Sequence, residues 1–532
     1  MGIFISVPKT IECILAALLF AALLCGVIFR QVGVLQSSGY SNKKYFGWLK
    51  KKGNMTLLRH AFLAGLCLLS YTLLSLVFSF VGEWAAVIGL AAYLLFFVLY
   101  VYADKKVALR SSVTLTPRCK RLFIITFLVF AIISYILITL LNFADYVWAN
   151  KYFSYLRYCP LCLVPLLSAF LLMLANSVAM LYEVPHNKKF VRLAKEKLEK
   201  SEIKVVAITG SYGKTSTKNI LSDILSKKYR VLSTPRSHNT PIGIALAVNN
   251  ADLLNYDIFI AEMGARHVGD IAELCEICPP DVSLITGICG QHLETFLSFQ
   301  NIVKAKGEIL DATKQEAIIA DDAYELFAGY DCKKTRCGCV SDIVCGADGT
   351  EFTLTLGGKS KRVKTVLLGE HSAYNIALAA QVAFSLGMTL DEIASAVPEI
   401  GQIEHRLQLI KSGGVNILDD GYNSNVKGAR AALKVLNYFE GRKIVVTPGL
   451  VELGVLEEDE NCELGKNLVG FDLVILVGDT LVKFVEKGYK QAGGDAAKIK
   501  VLPTLPAAQE ELKGYLQSGD TVLFLNDLPD VY

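Results

Sequence analysis

The sequence predicts an α-helical membrane domain followed by α/β structure, a P-loop-type parallel-sheet ATPase domain and then a C-terminal Rossmann-like domain. Three observations carry this reading. Long apolar runs are confined to residues 1–183, so the 53% hydrophobic content and the mean hydropathy of +0.41 average over two unlike parts. A strand, a glycine turn and a helix start follow one another at Val205–Thr217, VVAITGSYGKTST. Beyond residue 401, strand-like and helix-like runs alternate a second time. The expected boundaries are 1–183 for a five-span membrane domain, 184–203 for a basic, helix-compatible linker, 204–400 for the ATP-binding domain and 401–532 for the last domain.

Five apolar segments, approximately 10–29, 57–80, 84–102, 121–143 and 160–182, each approach the roughly 20 helical residues that a bilayer core requires. The first lacks a basic n-region and is followed by Arg30, which separates it from a signal peptide. Basic residues fall in alternate connections. One holds Arg30, Lys43, Lys44, Lys50, Lys51 and Lys52, another Lys105, Lys106, Arg110, Arg118 and Lys120, and a third follows the last span from Lys188 to Lys200. The opposite side has only Lys9, Lys151 and Arg157. That asymmetry puts the N-terminus outside and everything after residue 183 in the cytosol, where ATP is. Tyr146, Trp148, Tyr152, Phe153 and Tyr155 suit the outer interface. Glu12 and His60 lie near span ends and are expected to snorkel. A plain anchor and a lipid-handling role both fit these spans.

The net charge of +4 implies no nucleic-acid partner. Fourteen cysteines show no secreted disulfide framework, so reduced thiols are expected. Cys275 and Cys278, spaced C-x-x-C in a helix-like run, read as buried thiols like Cys159 and Cys162. Cys332, Cys337, Cys339 and Cys345 lack a zinc-ribbon spacing.

In the second part, Val205–Thr209 reads as a buried strand and Gly210–Thr215 as a turn that aims backbone N–H groups and a helix start at phosphate. Lys214 would reach the outer phosphates and the Thr215 hydroxyl a magnesium ion, with Ser216 next to it. The general loop G-x-x-x-x-G-K-[ST] needs glycine at position 208, where Ile208 stands; G-x-x-G-K-T remains, with Gly210 and Gly213. Strand-like and helix-like runs then alternate, VLST, IGIALAVN, YDIFIAEMG and VSLITGI, and the strand patterns are nearly continuous in apolar residues, as expected for a parallel sheet covered on both faces. Asn239, Glu262 and His292 fall where open α/β sheets bind ligands, and Lys306 comes fourteen residues after His292. Taken singly, each is as readily a cap or a surface residue.

The ordered set TGSYGKTST, SHNTPIGIAL, IFIAEMGARHVGDI, VSLITGICGQHLETFLSFQNIVKAKGEIL, GEHSAYNIALAAQVA, HRLQLI and DDGYNSN resembles the Mur ligases of bacterial peptidoglycan synthesis. Within that family it is most similar to the group joining D-alanyl-D-alanine to a UDP-N-acetylmuramoyl tripeptide. The resemblance covers about 203–460 well and 461–532 loosely. It implies an ATP-dependent carbon–nitrogen ligase working through an acyl phosphate, with ATP and two Mg2+ ions. Lys214 matches the phosphate-binding lysine, and Thr215 and Glu262 match magnesium ligands. His292 matches the histidine on the second magnesium, and Lys306 the lysine that is carbamylated to help hold the metals. Asn375, with His371 nearby, matches the adenine contact; Arg406 would touch the phosphates and Asp420 the ribose, with Tyr422 and Asn423 in the same cleft. His405 stands where the family usually has glycine, and Leu525–Asp530 replaces its lysine-glycine-serine motif, which leaves the amine substrate open.

The implied partners are the nucleotide, a cell-wall precursor acceptor, an amino acid or dipeptide amine, membrane lipid and cell-wall synthesis proteins. Five spans stand where soluble relatives carry a UDP-binding domain, which suggests a lipid-linked acceptor at the cytoplasmic membrane. Competing readings are a folylpolyglutamate-synthase-like or peptide-tail ligase, and a membrane ATPase or transporter.

Overall fold

The computed structural model describes residues 7–50, 54–81, 84–105, 113–148, 158–290, 293–422, 425–451 and 453–526. Backbone contacts divide the chain into two compact units, Met1–His186 with Pro529–Tyr532, and Asn187–Leu528.

The first unit is helical. Its helices are α1 (Val7–Val27), α2 (Phe29–Ser37), α3 (Asn42–Lys50), α4 (Thr56–Val77), α5 (Trp84–Lys105) and α6 (Pro117–Trp148), and α7 (Leu163–Glu199) begins in it. Five helical segments, Thr10–Val27, Thr56–Val77, Trp84–Ala103, Pro117–Leu140 and Cys159–Glu199, are long and apolar enough to cross a bilayer. Phe20 sits edge-on to Tyr93 and Phe97 in the interior. Large side chains such as Leu15, Phe62, Leu69 and Ile124 face outward. Apolar side chains thus lie on both the inside and the outside of this unit among the described residues. Of the interface aromatics, Tyr152, Phe153 and Tyr155 fall outside the described residues, as do Lys51, Lys52, Lys106, Arg110, Lys151 and Arg157.

The expectation that His60 snorkels is corrected. Its ring is fully buried. Gln31 Nε2 donates to His60 Nε2 at 3.1 Å, and His60 Nδ1 pairs with Ser168 Oγ at 2.9 Å. Ser168 Oγ donates to Pro165 O at 2.7 Å, which assigns the imidazole proton to Nδ1. Tyr45 OH donates to Gln31 Oε1 at 2.6 Å and completes the network. Burial inside the bundle leaves the ring no route to an interface, so internal partners replace water. Glu12 accepts from Tyr158 OH at 2.7 Å.

The second unit is α/β. Its first sheet is built from β1 (Lys204–Thr209), β2 (Val231–Ser233), β3 (Ile258–Glu262), β4 (Val282–Ile285), β5 (Glu316–Ala320) and β6 (Lys334–Cys337), in the parallel order β2-β3-β1-β4-β5-β6. Strand alternation explains the two covered faces. Val206, Ile208, Ile260 and Leu284 pack on one side with α8 (Lys214–Leu225). Val205, Ala207, Phe259 and Ile285 pack on the other with α9 (Pro241–Asn250), α10 (Asp270–Ile277), and, after the short α11 (Leu293–Phe296), α12 (Phe299–Asp311). Cys275 and Cys278 are buried free thiols, as expected.

An antiparallel sheet of β7 (Val340–Gly346), β8 (Gly349–Leu356) and β9 (Lys359–Thr365) follows, with α13 (Glu370–Ser385) and α14 (Leu390–Ala396) behind it. Cys337 and Cys339 are buried with their sulfurs 3.6 Å apart.

The last sheet, ordered β10-β11-β15-β12-β13-β14, comprises β10 (Gln408–Ser412), β11 (Val415–Asp420), β12 (Lys443–Thr447), β13 (Leu473–Val477), β14 (Ile499–Leu502) and β15 (Thr521–Leu525). It is parallel except for β10, which runs antiparallel to β11. Helices α15 (Val426–Leu436), α16 (Glu457–Asn467), α17 (Val482–Gln491) and α18 (Leu505–Tyr515) connect its strands. Alternation again splits the strands, Val445, Val474 and Leu523 facing one layer and Ile444, Ile475 and Val522 the other.

Candidate functional site

β1 lies at the middle of the first sheet, with β3 on one side and β4 on the other, so the chain changes direction there and leaves a crevice at the strand ends. The loop after β1 fills it. Gly210 has φ +148°, and a Cβ there would lie 2.2 Å from Thr286 Oγ1; Gly213, at φ +77°, begins α8. Only glycine meets both demands, which is why the loop has glycine at these two positions. Ser211 N donates to Gly287 O at 2.8 Å and Thr209 Oγ1 to Met263 O at 3.0 Å, so β3 and β4 both hold the loop.

A cleft of about 440 Å³ opens above it. Gly210, Gly213, Lys214, Thr215, Ser216, Asn239, Glu262, Lys306, Arg406 and Tyr422, all singled out from sequence, line it. Lys214 Nζ donates back to Gly210 O at 2.6 Å, and burial lowers its pKa below the usual lysine value. Glu262, 1% exposed at the end of β3, accepts from Thr215 Oγ1 at 3.1 Å and from Asn239 Nδ2 at 3.2 Å, both on Oε1. Its other oxygen lies 3.3 Å from Lys218 Nζ, but the approach does not make a hydrogen bond, and Oε2 is buried without one. Lys218 donates instead to Thr234 O, at 2.7 Å, and to Arg236 O, so its link to Glu262 is an ion pair without a hydrogen bond. A hydroxyl and a half-satisfied carboxylate side by side are hard oxygen donors, and they fit a divalent cation such as magnesium.

Lys306 is 3% exposed on α12. Burial first, and then the charge of Lys214, hold its pKa well below the lysine range against the pull of Asp270 and Glu308. An uncharged amine is the form that reacts with carbon dioxide, so this residue fits a carbamate.

The second half of the unit supplies the opposite wall. Arg406 NH1 donates to Tyr422 O at 2.8 Å, and its guanidinium lies 4.6 Å from the centre of the Tyr422 ring. His405 has φ +58° and its Nδ1 is 2.7 Å from Asp419 Oδ2. Left-handed backbone accounts for a glycine being the easier residue there.

Two sequence candidates lie outside the lining. Asn375 is buried behind the loop on α13, accepting from Thr217 Oγ1 at 3.3 Å. Asp420 Oδ1 accepts from Leu407 N at 3.2 Å. His292 and Asn423 fall outside the described residues, and so do 527–530 of the C-terminal segment. Sequence reasoning passed over Tyr212, Ser237, Arg266, His267, Asp270 and Phe296, which also line the cleft. Their signal was present only as neighbours of motif residues.

A phosphate-type loop on a parallel sheet, closed over by a second α/β sheet, defines a paired nucleotide-binding architecture. The chain belongs to the Mur ligase family, with residues 208–383 matching the Mur ligase middle domain and 405–526 the Mur ligase, glutamate ligase domain. It is 30% identical over 286 residues to the UDP-N-acetylmuramoyl-tripeptide–D-alanyl-D-alanine ligase of Bacillus subtilis, covering 52% of this chain and 62% of that one. To the Escherichia coli enzyme of the same name it is 32% identical, over 52% of this chain and 64% of the relative. The match therefore spans less than two thirds of these relatives. Among solved structures, MurF ligase from Thermotoga maritima in complex with ADP superposes with a TM-score of 0.58 at 27% identity, over 65% of this chain and 81% of that chain. MurF from Acinetobacter baumannii gives 0.58 at 26% identity, over 65% and 78%.

Proposed function

We propose that the chain is a membrane-anchored, ATP-dependent amide ligase of peptidoglycan synthesis. One observation carries the reading: Lys214, Thr215, Glu262 and Lys306 share a cleft with Arg406 from the opposite sheet. In this reading a substrate carboxylate attacks the γ-phosphorus of ATP, giving an acyl phosphate and ADP. An amine then adds to the acyl carbon, and the tetrahedral adduct expels phosphate and loses a proton to form the amide.

The loop amides and Lys214 bind the phosphates, and Arg406 meets them from the other wall. Thr215 and Glu262 would hold one magnesium ion, and His292 with carbamylated Lys306 would hold a second. Bound there, the metal would supply charge neutralisation on the phosphates. Glu262 also keeps Lys218 paired, so the buried ammonium does not compete for phosphate. Asn375 and Asp420 serve adenine and ribose once the cleft is filled. Orientation and electrostatics suffice, with no covalent protein nucleophile. We assign the middle domain to 204–400 and the C-terminal domain to 401–532, after a membrane domain at 1–183 and a linker at 184–203.

The relatives' names supply UDP-N-acetylmuramoyl tripeptide and D-alanyl-D-alanine as first guesses for acceptor and amine. Five apolar helices precede the matched domains, which supports a multi-pass location with cytosolic catalytic domains and a lipid-linked acceptor. The deciding experiment measures phosphate release by purified protein with ATP and magnesium across a matrix of acceptors and amines. Release that needs both a muramoyl peptide and an amine is expected; amine-independent turnover would sink the ligase reading. Equal use of UDP-linked and lipid-linked acceptors would remove the lipid-linked part alone.

A further inference from the structure

Tyr212 is the second of the two residues between the glycines of the phosphate loop, following Ser211 and preceding Gly213. Its ring is held from behind by the end of β4. A Cβ on Gly287, which has φ +143°, would fall 2.3 Å from the ring, and Thr286 Oγ1 donates to Tyr212 O. In front, Tyr212 OH donates to Asp322 Oδ2 at 2.6 Å. Lys427 Nζ donates to the same oxygen at 3.0 Å, lies 3.3 Å from Tyr212 OH and sits 4.9 Å from the centre of the ring.

Asp322 lies two residues beyond the end of β5 of the first sheet, whereas Lys427 is in the first turn of α15, on the other side of the cleft. A cation at a helix N-terminus opposes the helix dipole, so its own helix gives Lys427 no reason to be there. Its compensation comes from the first sheet's domain. A second bridge joins the Ser237 and Tyr422 hydroxyls at 2.5 Å, where Arg406 also lies.

We propose that Tyr212, Asp322 and Lys427 form a closure latch that couples the phosphate loop to the C-terminal domain. The inference rests on the nucleotide reading of the loop and adds positioning residues to it. Phosphates bound at the backbone of Ser211 and Gly213 stabilise the loop conformation in which the phenol pairs with Asp322, and Lys427 ties α15 and the nearby Arg406 wall to that loop. The side chains of Lys427 and Asp322 are about half exposed, so the latch is weak enough to open between turnovers. Because coupling is reciprocal, a variant that loosens closure weakens nucleotide binding by no more than the factor by which closure shifts.

The test uses the full chain in lipid nanodiscs with MgADP as probe. Spin-labelled unnatural amino acids replace Leu254 and Val501, exposed residues on the two sheets' domains, and pulsed resonance reads their separation. In the parent protein MgADP should favour the shorter distance. Lys427→Met should lower the closed-to-open ratio about fivefold, the size expected for one half-exposed ionic contact. MgADP affinity should fall by that factor or less, and Lys427→Arg should restore both. Tyr212→Phe combined with Lys427→Met should be no worse than Lys427→Met alone. Unchanged distances in Lys427→Met, weaker MgADP binding without a change in distance, or additive effects in the double variant would each overturn the latch. The nucleotide-free distances separate this idea from the ligase reading: Lys427→Met should broaden them even in a protein that forms no amide, and a failure to broaden counts against the latch alone.

Discussion

Lys214 and Lys306 are two buried amines whose ionisation is held down by burial, and each makes a distinct prediction. Phosphate oxygens arriving beside Lys214 favour its charged form, so the bound state holds more protons than the free state. MgADP affinity should therefore fall as pH rises between the free and bound pKa values, with proton uptake visible by calorimetry in buffers of different ionisation enthalpy. For Lys306 the folded state binds fewer protons than the unfolded chain between the depressed folded pKa and the ordinary lysine value. Its contribution to stability thus rises with pH across that window, and burying the amine is costly below it. Lys306→Met should leave the melting temperature unchanged or raised at neutral pH while cutting phosphate release by roughly 100-fold or more. A variant that melted earlier and kept its activity would remove Lys306 from the chemistry.

Several helices and loops depend on the absence of a side chain. A Cβ on Gly488 of α17 would lie 1.8 Å from Cys462 O of α16, and one on Gly465 would lie 2.0 Å from Val485 O. The two helices therefore touch backbone to backbone, and Gly488→Ala should destabilise by about 1–3 kcal/mol in a denaturant melt of the second unit. In the phosphate loop Gly213→Ala meets both a left-handed φ of +77° and Asn375 Oδ1 at 2.8 Å, and should abolish measurable nucleotide binding. At this scale β1, β3 and β4 were legible because strands covered on both faces are nearly continuous in apolar residues. The antiparallel sheet β7–β9 was not anticipated: KSKRVKT and VSDIVCG are largely solvent-facing and carry little hydrophobic period. β14 escaped for the same reason, being a short edge strand with two exposed residues. The loop-lining residues were legible through chemistry-bearing side chains on a recognisable spacing. Tyr212 was not, since its partners come from positions 322 and 427 and no local pattern announces them.

Among the described residues, exposed large apolar side chains are concentrated in the first unit, and the second has sheets covered on both faces. A fragment beginning at Asn187 should remain soluble without detergent and bind MgADP, whereas the full chain should sediment with membranes and resist alkaline carbonate extraction. Release of the full chain by carbonate would count against the spans.

The network of Gln31, Tyr45, His60 and Ser168 has a consequence for the helical unit as a whole. These residues come from α2, α3, α4 and α7. Helices packed through Leu, Ala and Phe alone have many nearly equivalent ways to slide and rotate against one another. The apolar interior of the unit offers a stray imidazole or amide no partner, so rotating any of these helices by a third of a turn strands a buried polar group. The network thus works as a keyway, admitting one azimuth for each helix. His60→Leu should still insert, but with about 1 kcal/mol less resistance to unfolding in detergent. Its helices should also become interchangeable among neighbouring rotational settings, visible as multiple cross-linking patterns where the parent chain gives one.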